Sequence, residues 1–136
     1  MKTYTHPASN IYESAQIGKG TRIGAFVEVG HEVKIGKNCR IGCGAFIPEN
    51  VIIEDNVFVG PHTVFTNDKR PPSNGAWRNE PPTIIREGAS IGANSTILPN
   101  IVLGRNCKIG AGSVITKNIP SNETWMGVPA KKFNGK

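Results

Sequence analysis

The chain has 136 residues, of which 38% are hydrophobic and 19% charged, and its formal net charge is +6 at neutral pH. This length predicts one domain with a thin core, and no apolar run approaches the length of a membrane span. The basic residues are scattered, which argues against a nucleic-acid-binding protein and favours either a solvated surface or attraction of phosphorylated ligands.

A six-residue repeat begins at Ile11 and continues to Phe65. It resumes at Ile85 and runs to Ile115, which gives sixteen apolar positions with no polar exception. Residues two apart on a strand share a face, so each repeat offers one small and one large inward residue, followed by a bend. A period of six excludes an amphipathic helix and is too short for a hairpin meander, so the pattern predicts a β-solenoid.

Three cysteines are distributed along the repeats. Cys39 and Cys107 occupy inward small positions, whereas Cys43 lies outside that register. The odd number and the absence of Cys-x-x-Cys spacing predict neither a disulfide framework nor a structural zinc site. The N-terminus also shows no signal-peptide hydrophobic region, so we expect a reduced, cytoplasmic protein.

The repeat is interrupted by FTNDKRPPSNGAWRNEPPT, residues 65–83. A loop of this length inside a compact fold is usually functional or disordered. Its four prolines forbid ladder pairing, and Trp77 offers an apolar anchor. Polar side chains extend its reach: Asp68, Lys69, Arg70, Arg78 and Glu80. We expect an ordered arm that contacts a neighbouring subunit; the alternative is a tolerated surface insertion.

The motif [Ile/Val/Leu]-Gly-x-x-[small]-x, over roughly residues 11–116, resembles the hexapeptide-repeat acyltransferase family. The resemblance implies an all-β, left-handed parallel β-helix in which three repeats form a triangular coil, with about five coils here. The left hand comes from the resemblance alone, because parallel crossovers are normally right-handed. It implies a single domain, with N-terminal coils at 11–65, a protruding active-site loop at 66–84, C-terminal coils at 85–116 and a cap at 117–136.

Three segments together resemble one branch of that family: Phe-Thr-Asn-Asp from residue 65, Gly-Ala-Ser-Ile-Gly-Ala-Asn from residue 88, and Val-Pro-Ala-Lys from residue 128. The branch comprises acetyl-CoA-dependent N-acetyltransferases that act on nucleotide-linked amino sugars for surface polysaccharides such as lipopolysaccharide. It implies a homotrimer, since one prism supplies half of each cleft. Residues 23–26, Ile-Gly-Ala-Phe, depart from the Ile-Trp-His-Phe that is frequent in this branch. The resemblance therefore does not identify the sugar.

Other functions share the same repeat. The chain could transfer acetyl to a sugar or serine hydroxyl, or serve as a non-catalytic scaffold. The γ-type carbonic anhydrases share the implied fold, but their zinc takes three histidines. Only His31 and His62 are plausible ligands here, and no paired spacing supports them, so no metal is expected.

Acetyl transfer to an amine requires a neutral nucleophile and a stabilised oxyanion. Histidine is the first candidate base, and His62, which follows inward Val59 just before the loop, is better placed than His31 or His6. The alternative for His62 is an exposed coil residue. The resemblance implies that Asn67 holds the amine or a water, and some relatives let water take the proton. Asp68 is a further candidate, or a turn cap.

The resemblance also implies how acetyl-CoA binds, as a co-substrate lying along the prism between two subunits. Backbone amides of the later coils would hold the pantetheine arm, at Gly92, Ala93, Gly110 and Ala111. Lys117 and Lys131 could contact the phosphates; the alternative for each is a solvated lysine.

Overall fold

The computed structural model describes residues 2–71, 73 and 80–135, and these residues form strands and turns without any helix. Consequently no described helix could cross a membrane. The strands, in chain order, are β1 (Tyr4–Thr5), β2 (Asn10–Ile11), β3 (Gln16–Ile17), β4 (Arg22–Ile23), β5 (Glu28–Val29), β6 (Lys34–Ile35), β7 (Arg40–Ile41), β8 (Phe46–Ile47), β9 (Val51–Ile53), β10 (Phe58–Val59), β11 (Val64–Phe65), β12 (Thr83–Ile85), β13 (Ser90–Ile91), β14 (Thr96–Ile97), β15 (Val102–Leu103), β16 (Lys108–Ile109), β17 (Val114–Ile115), β18 (Thr124–Gly127) and β19 (Ala130–Lys132).

Every third strand of the repeat pairs in parallel, which builds three sheets. Sheet 1 has the order β1-β4-β7-β10-β13-β16-β18-β19, sheet 2 has β2-β5-β8-β11-β14-β17, and sheet 3 has β3-β6-β9-β12-β15. Three repeats therefore form one coil, and the predicted parallel β-helix is confirmed; its left hand stays a prediction. There are about six turns instead of five. The extra turn escapes the apolar pattern because β1 places Thr5 opposite Ile23.

The core follows the predicted inward register. The large positions from Ile23 to Ile115 are at most 4% exposed, and Ile11 and Ile17, near the open end, are half-buried. Buried hydroxyls at the small positions bond to carbonyls inside the prism; Ser95, for example, donates to the Gly92 carbonyl at 2.8 Å. The core thus consists of close-packed aliphatic side chains and of buried hydroxyls that are hydrogen-bonded.

The cysteine predictions are also confirmed for position. Cys39 and Cys107 are buried, and Cys43 is exposed. Burial raises the pKa of the Cys107 thiol to about 11, and burial likewise raises the pKa of Cys39. Cys43 is therefore the accessible thiol of the three.

The three sheets meet at three edges, which we name by the sheets they join. Edge 1–2 contains the turns that follow sheet 1 strands, such as residues 61–62. Edge 2–3 contains the turns after sheet 2 strands, such as residues 49–50. Edge 3–1 contains the turns after sheet 3 strands, such as residues 55–56. Turns of one edge stack along the prism axis, and 'above' means toward the C-terminal coils.

The long loop replaces one turn of edge 2–3, between β11 and β12. Val64 pairs with Phe46, 18 residues earlier, and with Thr96, 32 residues later, so the sheet 2 ladder continues past the insertion. The loop therefore leaves the coil stack without breaking it. Trp77 and Arg78, predicted to anchor and extend this arm, lie outside the described residues.

A small hairpin closes the top of the prism. Strands β18 and β19 pair antiparallel, and β18 continues sheet 1 beside β16. Trp125 packs against the core, and Ala130 is buried. This hairpin lies within the predicted cap at 117–136.

Candidate functional site

His62 lies on edge 1–2, in the coil that precedes the loop. It is exposed, and its backbone N–H donates to the Cys43 carbonyl of the coil below at 2.9 Å. Its imidazole covers the Cα of Gly44, where an added methyl group would overlap the ring. Glycine at this position therefore makes room for the imidazole and fixes where it lies.

His62 also has an uncommon backbone conformation. Its φ is +58°, in the left-handed region, and the third residue after an inward aliphatic residue repeats this conformation along the prism. Asparagine and glycine fill most of these turns, because they tolerate the conformation best. Only Phe26, Glu32 and His62 depart from that rule among the repeat turns of the described chain. Keeping a bulkier side chain there costs about 1 kcal/mol, which marks these positions as functional candidates.

Four of the six predicted acetyl-CoA residues lie above His62 on the same edge. Asn94 donates its N–H to the Pro61 carbonyl at 2.9 Å, and Gly112 donates to the Ala93 carbonyl at 2.8 Å. Gly92 contacts Ala111 so closely that a methyl group there would approach its nitrogen to 2.5 Å. The structure thus brings Gly92, Ala93, Gly110 and Ala111 together with His62 in one column.

Ala93 and Ala111 each place a backbone amide in that column. In the part of the chain that the structure describes, the N–H groups of Ala93 and Ala111 have no hydrogen-bond partner. Pro61, at the same position one coil below Ala93, has no N–H at all. A ligand lying along edge 1–2 above His62 would therefore meet two regularly spaced donors.

A separate groove of about 490 Å³ opens on edge 2–3, above the root of the loop. It brings Asp68 and Lys117 together with Lys69 and Asn118. The Lys117 ammonium lies 5.4 Å from the centroid of the Trp125 ring, so a cation–π contact directs it over the top of the prism. Two of the predicted site residues thus share one groove, away from His62.

Asn67 and Asp68 have structural partners within the chain. The Asn67 side-chain amide donates to the Glu49 carbonyl of the coil below at 3.0 Å. The Asp68 carboxylate accepts the Arg70 N–H at 3.1 Å, which closes a turn. These contacts order the root of the loop on edge 2–3. His62 and Asn67 therefore flank sheet 2 from opposite edges, at the two ends of β11.

The remaining candidates lie apart from this region. Lys131 is exposed on β19 and pairs with Met126, which packs on Gly110, so it stands at the top of sheet 1. His31 packs edge-on against Tyr12, with ring centroids 4.3 Å apart. His6 accepts the Ala8 N–H at 3.0 Å and closes a turn, as expected for a structural residue.

Another recess lies apart from this arrangement. A recess of about 470 Å³ around Lys34, Glu49 and Pro82 holds none of the predicted site residues. Across residues 2–71, 73 and 80–135, no group of three or more His, Cys, Asp or Glu side chains is placed to hold a metal ion.

Three curated proteins each match about a third to two fifths of the chain. Serine acetyltransferase of Buchnera aphidicola is 56% identical over 54 residues, which is 40% of this chain and 19% of that protein. The serine acetyltransferase of Escherichia coli is 55% identical over 47 residues, 35% of this chain and 17% of that protein. dTDP-3-amino-3,6-dideoxy-alpha-D-galactopyranose 3-N-acetyltransferase of Aneurinibacillus thermoaerophilus is 47% identical over 49 residues, 36% and 26% of the two chains. The matched segments are therefore about a fifth to a quarter of each relative.

Solved structures match almost the entire coil stack. GDP-perosamine N-acetyltransferase of Caulobacter crescentus, in complex with CoA and GDP-perosamine, has a TM-score of 0.86 and 22% identity, over 98% of this chain and 57% of that one. The acetyltransferase domain of PglB from Neisseria gonorrhoeae, in complex with acetyl coenzyme A, has a TM-score of 0.84 and 23% identity, over 96% and 57%. AntD, an N-acyltransferase from Bacillus cereus in complex with dTDP and coenzyme A, has a TM-score of 0.82 and 23% identity, over 96% and 78%. These likenesses confirm the fold.

The family model described as bacterial transferase hexapeptide (six repeats) matches residues 14–49, 32–67 and 82–117. These ranges cover more than half of the chain and leave out most of the loop, which the strand pairing in the structure also bypasses. The chain belongs to the bacterial transferase hexapeptide family.

Proposed function

We propose that the protein transfers the acetyl group of acetyl-CoA to the amino group of a nucleotide-linked amino sugar, for surface polysaccharide synthesis. The observation that carries this proposal is the column on edge 1–2, where His62 lies directly beneath the unpaired amides of Ala93 and Ala111. The matched segment of the dTDP-amino-sugar N-acetyltransferase and the folds of two N-acyltransferases and one acetyltransferase domain support it.

The reaction joins the sugar amine to the acetyl carbonyl carbon. The neutral amine adds to the thioester, the tetrahedral oxyanion collapses, the carbon–sulfur bond breaks, and CoA leaves as a thiolate that regains a proton. The amine loses one proton, which passes to His62 or to water. Asn67 orients the amine or that water, and Asp68 supports the same region.

Acetyl-CoA lies along edge 1–2 in this proposal. The amides of Ala93 and Ala111 donate to carbonyl groups of the pantetheine arm, and Gly92 and Gly110 let that arm approach the backbone. Lys131, at the top of sheet 1, meets the phosphates, as does Lys117 from edge 2–3 of a neighbour. The loop at 66–84 is the active-site loop, and the hairpin in 117–136 is the cap.

A homotrimer explains why the candidates are divided between two edges. Sheet 2 lies between these edges and exposes an apolar pair, Phe46 and Val64, each 38% exposed and directly paired. If sheet 2 faces a threefold axis, edge 1–2 of one subunit meets edge 2–3 of the next. Each of three clefts then combines His62 of one subunit with Asn67 of another.

The trimer is tested by placing a charge on that apolar pair. Val64→Glu on sheet 2 is expected to yield monomers, because three carboxylates would meet near the axis without partners. Val102→Glu, on the outer face of sheet 3, is the matched control and should leave the trimer intact. Light scattering gives the mass. A wild-type monomer with full activity would contradict the proposal.

The chemistry is tested by screening nucleotide-linked amino sugars with acetyl-CoA and measuring release of free thiol. With the best acceptor, Asn67→Ala should lower kcat by about 10²- to 10³-fold, the usual cost of one positioned hydrogen bond in a transition state. The KM for acetyl-CoA should change little. His62→Asn should cost less than about tenfold, because a neutral amine is already a good nucleophile and water can take the proton. Both variants at the wild-type rate would place the chemistry elsewhere.

Acetyl transfer to a hydroxyl is the second candidate, favoured by the serine acetyltransferases of Buchnera aphidicola and Escherichia coli. An alcohol is a weaker nucleophile and requires a base. In that case His62→Asn should lower kcat by about 10²-fold or more and change the acidic limb of the pH–rate profile. Serine tested as acceptor in the same thiol assay separates the two functions directly.

The location follows from the substrates. Acetyl-CoA and nucleotide-linked sugars are cytoplasmic metabolites, and the three free cysteines suit a reducing compartment. We therefore place the proposed reaction in the cytoplasm. Fractionation of cells expressing the full chain would check it.

A further inference from the structure

Two arginines face outward from neighbouring strands of sheet 1, below His62. Arg22 on β4 and Arg40 on β7 are directly paired in the parallel ladder. Their side chains therefore leave the sheet about 4.8 Å apart. Like charges opposite one another destabilise a sheet, so this pairing calls for a reason.

No carboxylate neutralises this pair within the described chain. On edge 3–1, by contrast, Arg86 and Arg105 bind glutamates at 2.9 and 3.2 Å. Neither Arg22 nor Arg40 forms an ion pair with any described residue. Two guanidinium groups thus remain available to an anion from solution, and guanidinium matches phosphate geometry well.

Aromatic rings bound the pair on both sides along the prism axis. Below, the Arg22 guanidinium carbon lies 5.1 Å from the centroid of the Tyr4 ring. Above, Phe58 pairs with Arg40 and is 38% exposed. Rings beside cations offer stacking for a nucleobase next to contacts for its phosphates.

These residues line one groove of about 360 Å³ that reaches edge 1–2. Its far wall consists of backbone and small side chains: Gly24, Gly42, Cys43 and Pro61. Pro61 precedes His62, so the groove ends next to the imidazole. The amides of Ala93 and Ala111 continue from His62 in the opposite direction.

We propose that this groove binds the nucleoside diphosphate portion of the acceptor. The proposal rests on the function proposed above and deepens it. The phosphates lie between Arg22 and Arg40, and the base stacks on Phe58 or Tyr4. Coenzyme A also carries an adenosine diphosphate group, but the residues proposed above to hold its pantetheine arm, Gly92, Ala93, Gly110 and Ala111, lie above His62. Donor and acceptor then approach His62 from opposite ends of edge 1–2.

Equilibrium dialysis of UDP, dTDP and GDP, each tested with the full chain, measures this binding without turnover. At least one should bind, and the double variant Arg22→Gln, Arg40→Gln should weaken it by about tenfold or more. Lys34→Gln, Lys37→Gln removes the same charge from sheet 3 and edge 3–1 and should change binding less than twofold. Equal loss in both double variants would reduce the effect to net charge and overturn the proposal.

Cys43 locates the bound nucleotide, because it lines the groove and the other two thiols are buried. Iodoacetamide should modify Cys43 in the free protein, and the bound nucleoside diphosphate should slow that reaction several-fold. The arginine double variant should lose the protection. Three results overturn the proposal: no protection in the wild type, protection that survives in the double variant, or a Cys43 that does not react in the free protein.

The same assay distinguishes the two sources of a nucleoside diphosphate group. Protection by CoA and 3′,5′-ADP, but not by UDP, dTDP or GDP, would assign the groove to the acyl donor and overturn the proposal. Protection by one of the latter three supports it even if every amino sugar fails as an acceptor. That last result would remove the proposed function and leave the nucleotide site in place.

Discussion

Edge 3–1 and edge 1–2 have the same backbone ladder but differ in how the N–H groups of their turns are hydrogen-bonded. On edge 3–1 side chains of the next coil cap two of the turn amides: Asp55 accepts the Lys37 N–H at 2.8 Å, and Ser121 accepts the Arg105 N–H at 3.0 Å. On edge 1–2 the equivalent amide of Ala93 has no partner in the described chain. Within the described chain, edge 3–1 caps three of its turn amides with side chains and leaves those of Lys19 and Asp55 uncapped, whereas edge 1–2 leaves its turn amides above His62 available for a ligand.

The turn residues differ in the same way. On edge 3–1 each left-handed turn position holds glycine or asparagine, as at Asn38 and Asn56. Edge 1–2 places Phe26 and His62 at this position, and Phe26 is 75% exposed. Edge 3–1 thus holds residues that the left-handed conformation suits, whereas edge 1–2 keeps two side chains that this conformation tolerates poorly.

Ile97→Asp removes the core that both edges share and has the largest expected effect. Ile97 is fully buried, so an unpaired carboxylate there costs several kcal/mol and should abolish cooperative thermal unfolding. Val102→Asp, outward-facing on sheet 3 and next to inward Leu103, is the control and should melt near the wild type. An unchanged melting curve for Ile97→Asp would refute the inward register.

Glu54→Ala breaks a cap on edge 3–1. Glu54 accepts the Glu87 N–H at 3.0 Å and binds the Arg86 guanidinium at 2.9 Å, so its loss should lower the free energy of unfolding by about 1–3 kcal/mol. Denaturant unfolding measures this change. The KM for acetyl-CoA should stay within twofold. The control Glu13→Ala, on an exposed turn, should change the free energy of unfolding by no more than about 0.5 kcal/mol. If Glu54→Ala changed the KM for acetyl-CoA but not the stability, edge 3–1 would be the ligand-binding edge, contrary to the proposal.

Ala93→Pro with Ala111→Pro deletes two amides from edge 1–2. Proline already fits this turn position at Pro61, and glycine precedes all three residues, so the fold should be retained. Loss of two hydrogen bonds should raise the KM for acetyl-CoA by about tenfold or more. Ala25→Pro, at the same position in a lower coil, should leave that KM unchanged. Equal KM values in all three proteins would exclude these amides from acetyl-CoA binding.

A reciprocal exchange at the left-handed turn position gives the smallest expected effect. His62→Asn should stabilise the protein by up to about 1 kcal/mol, raising Tm by a few degrees, because asparagine tolerates the left-handed region better. Asn56→His on edge 3–1 should lower stability by a similar amount. Calorimetry on both variants tests the difference. A stabilising Asn56→His would show that turn conformation does not explain the comparison.

Much of the fold could be predicted because the six-residue apolar repeat identifies which residues face inward. Aliphatic residues such as Ile23 and Ile97 are buried as expected, since a period of six with alternating faces leaves little freedom. The first turn was missed because Thr5 is polar where the pattern requires an aliphatic residue. The β18–β19 hairpin has no repeat, so the pattern says nothing about it.

The candidate site was predicted less completely, because a six-residue period does not show which edge a turn belongs to. Counting 18 residues per coil and removing the inserted loop would have stacked His62 beneath Asn94 and aligned Arg22 with Arg40. The Gly-or-Asn rule for turns would have singled out Phe26. The bond from Asn67 to a main-chain carbonyl leaves no trace in the sequence.

Because the coils are evenly spaced, the number of coils sets the distance between two sites along the prism axis. Each added coil of 18 residues, as between Asn10 and Glu28, lengthens it by one strand spacing, about 4.8 Å. Inserting one coil between Arg40 and His62 would move the groove of sheet 1 away from the imidazole by that single step while leaving both ends chemically unchanged. Substrate length could thus be matched in discrete increments, by counting repeats instead of reshaping a pocket.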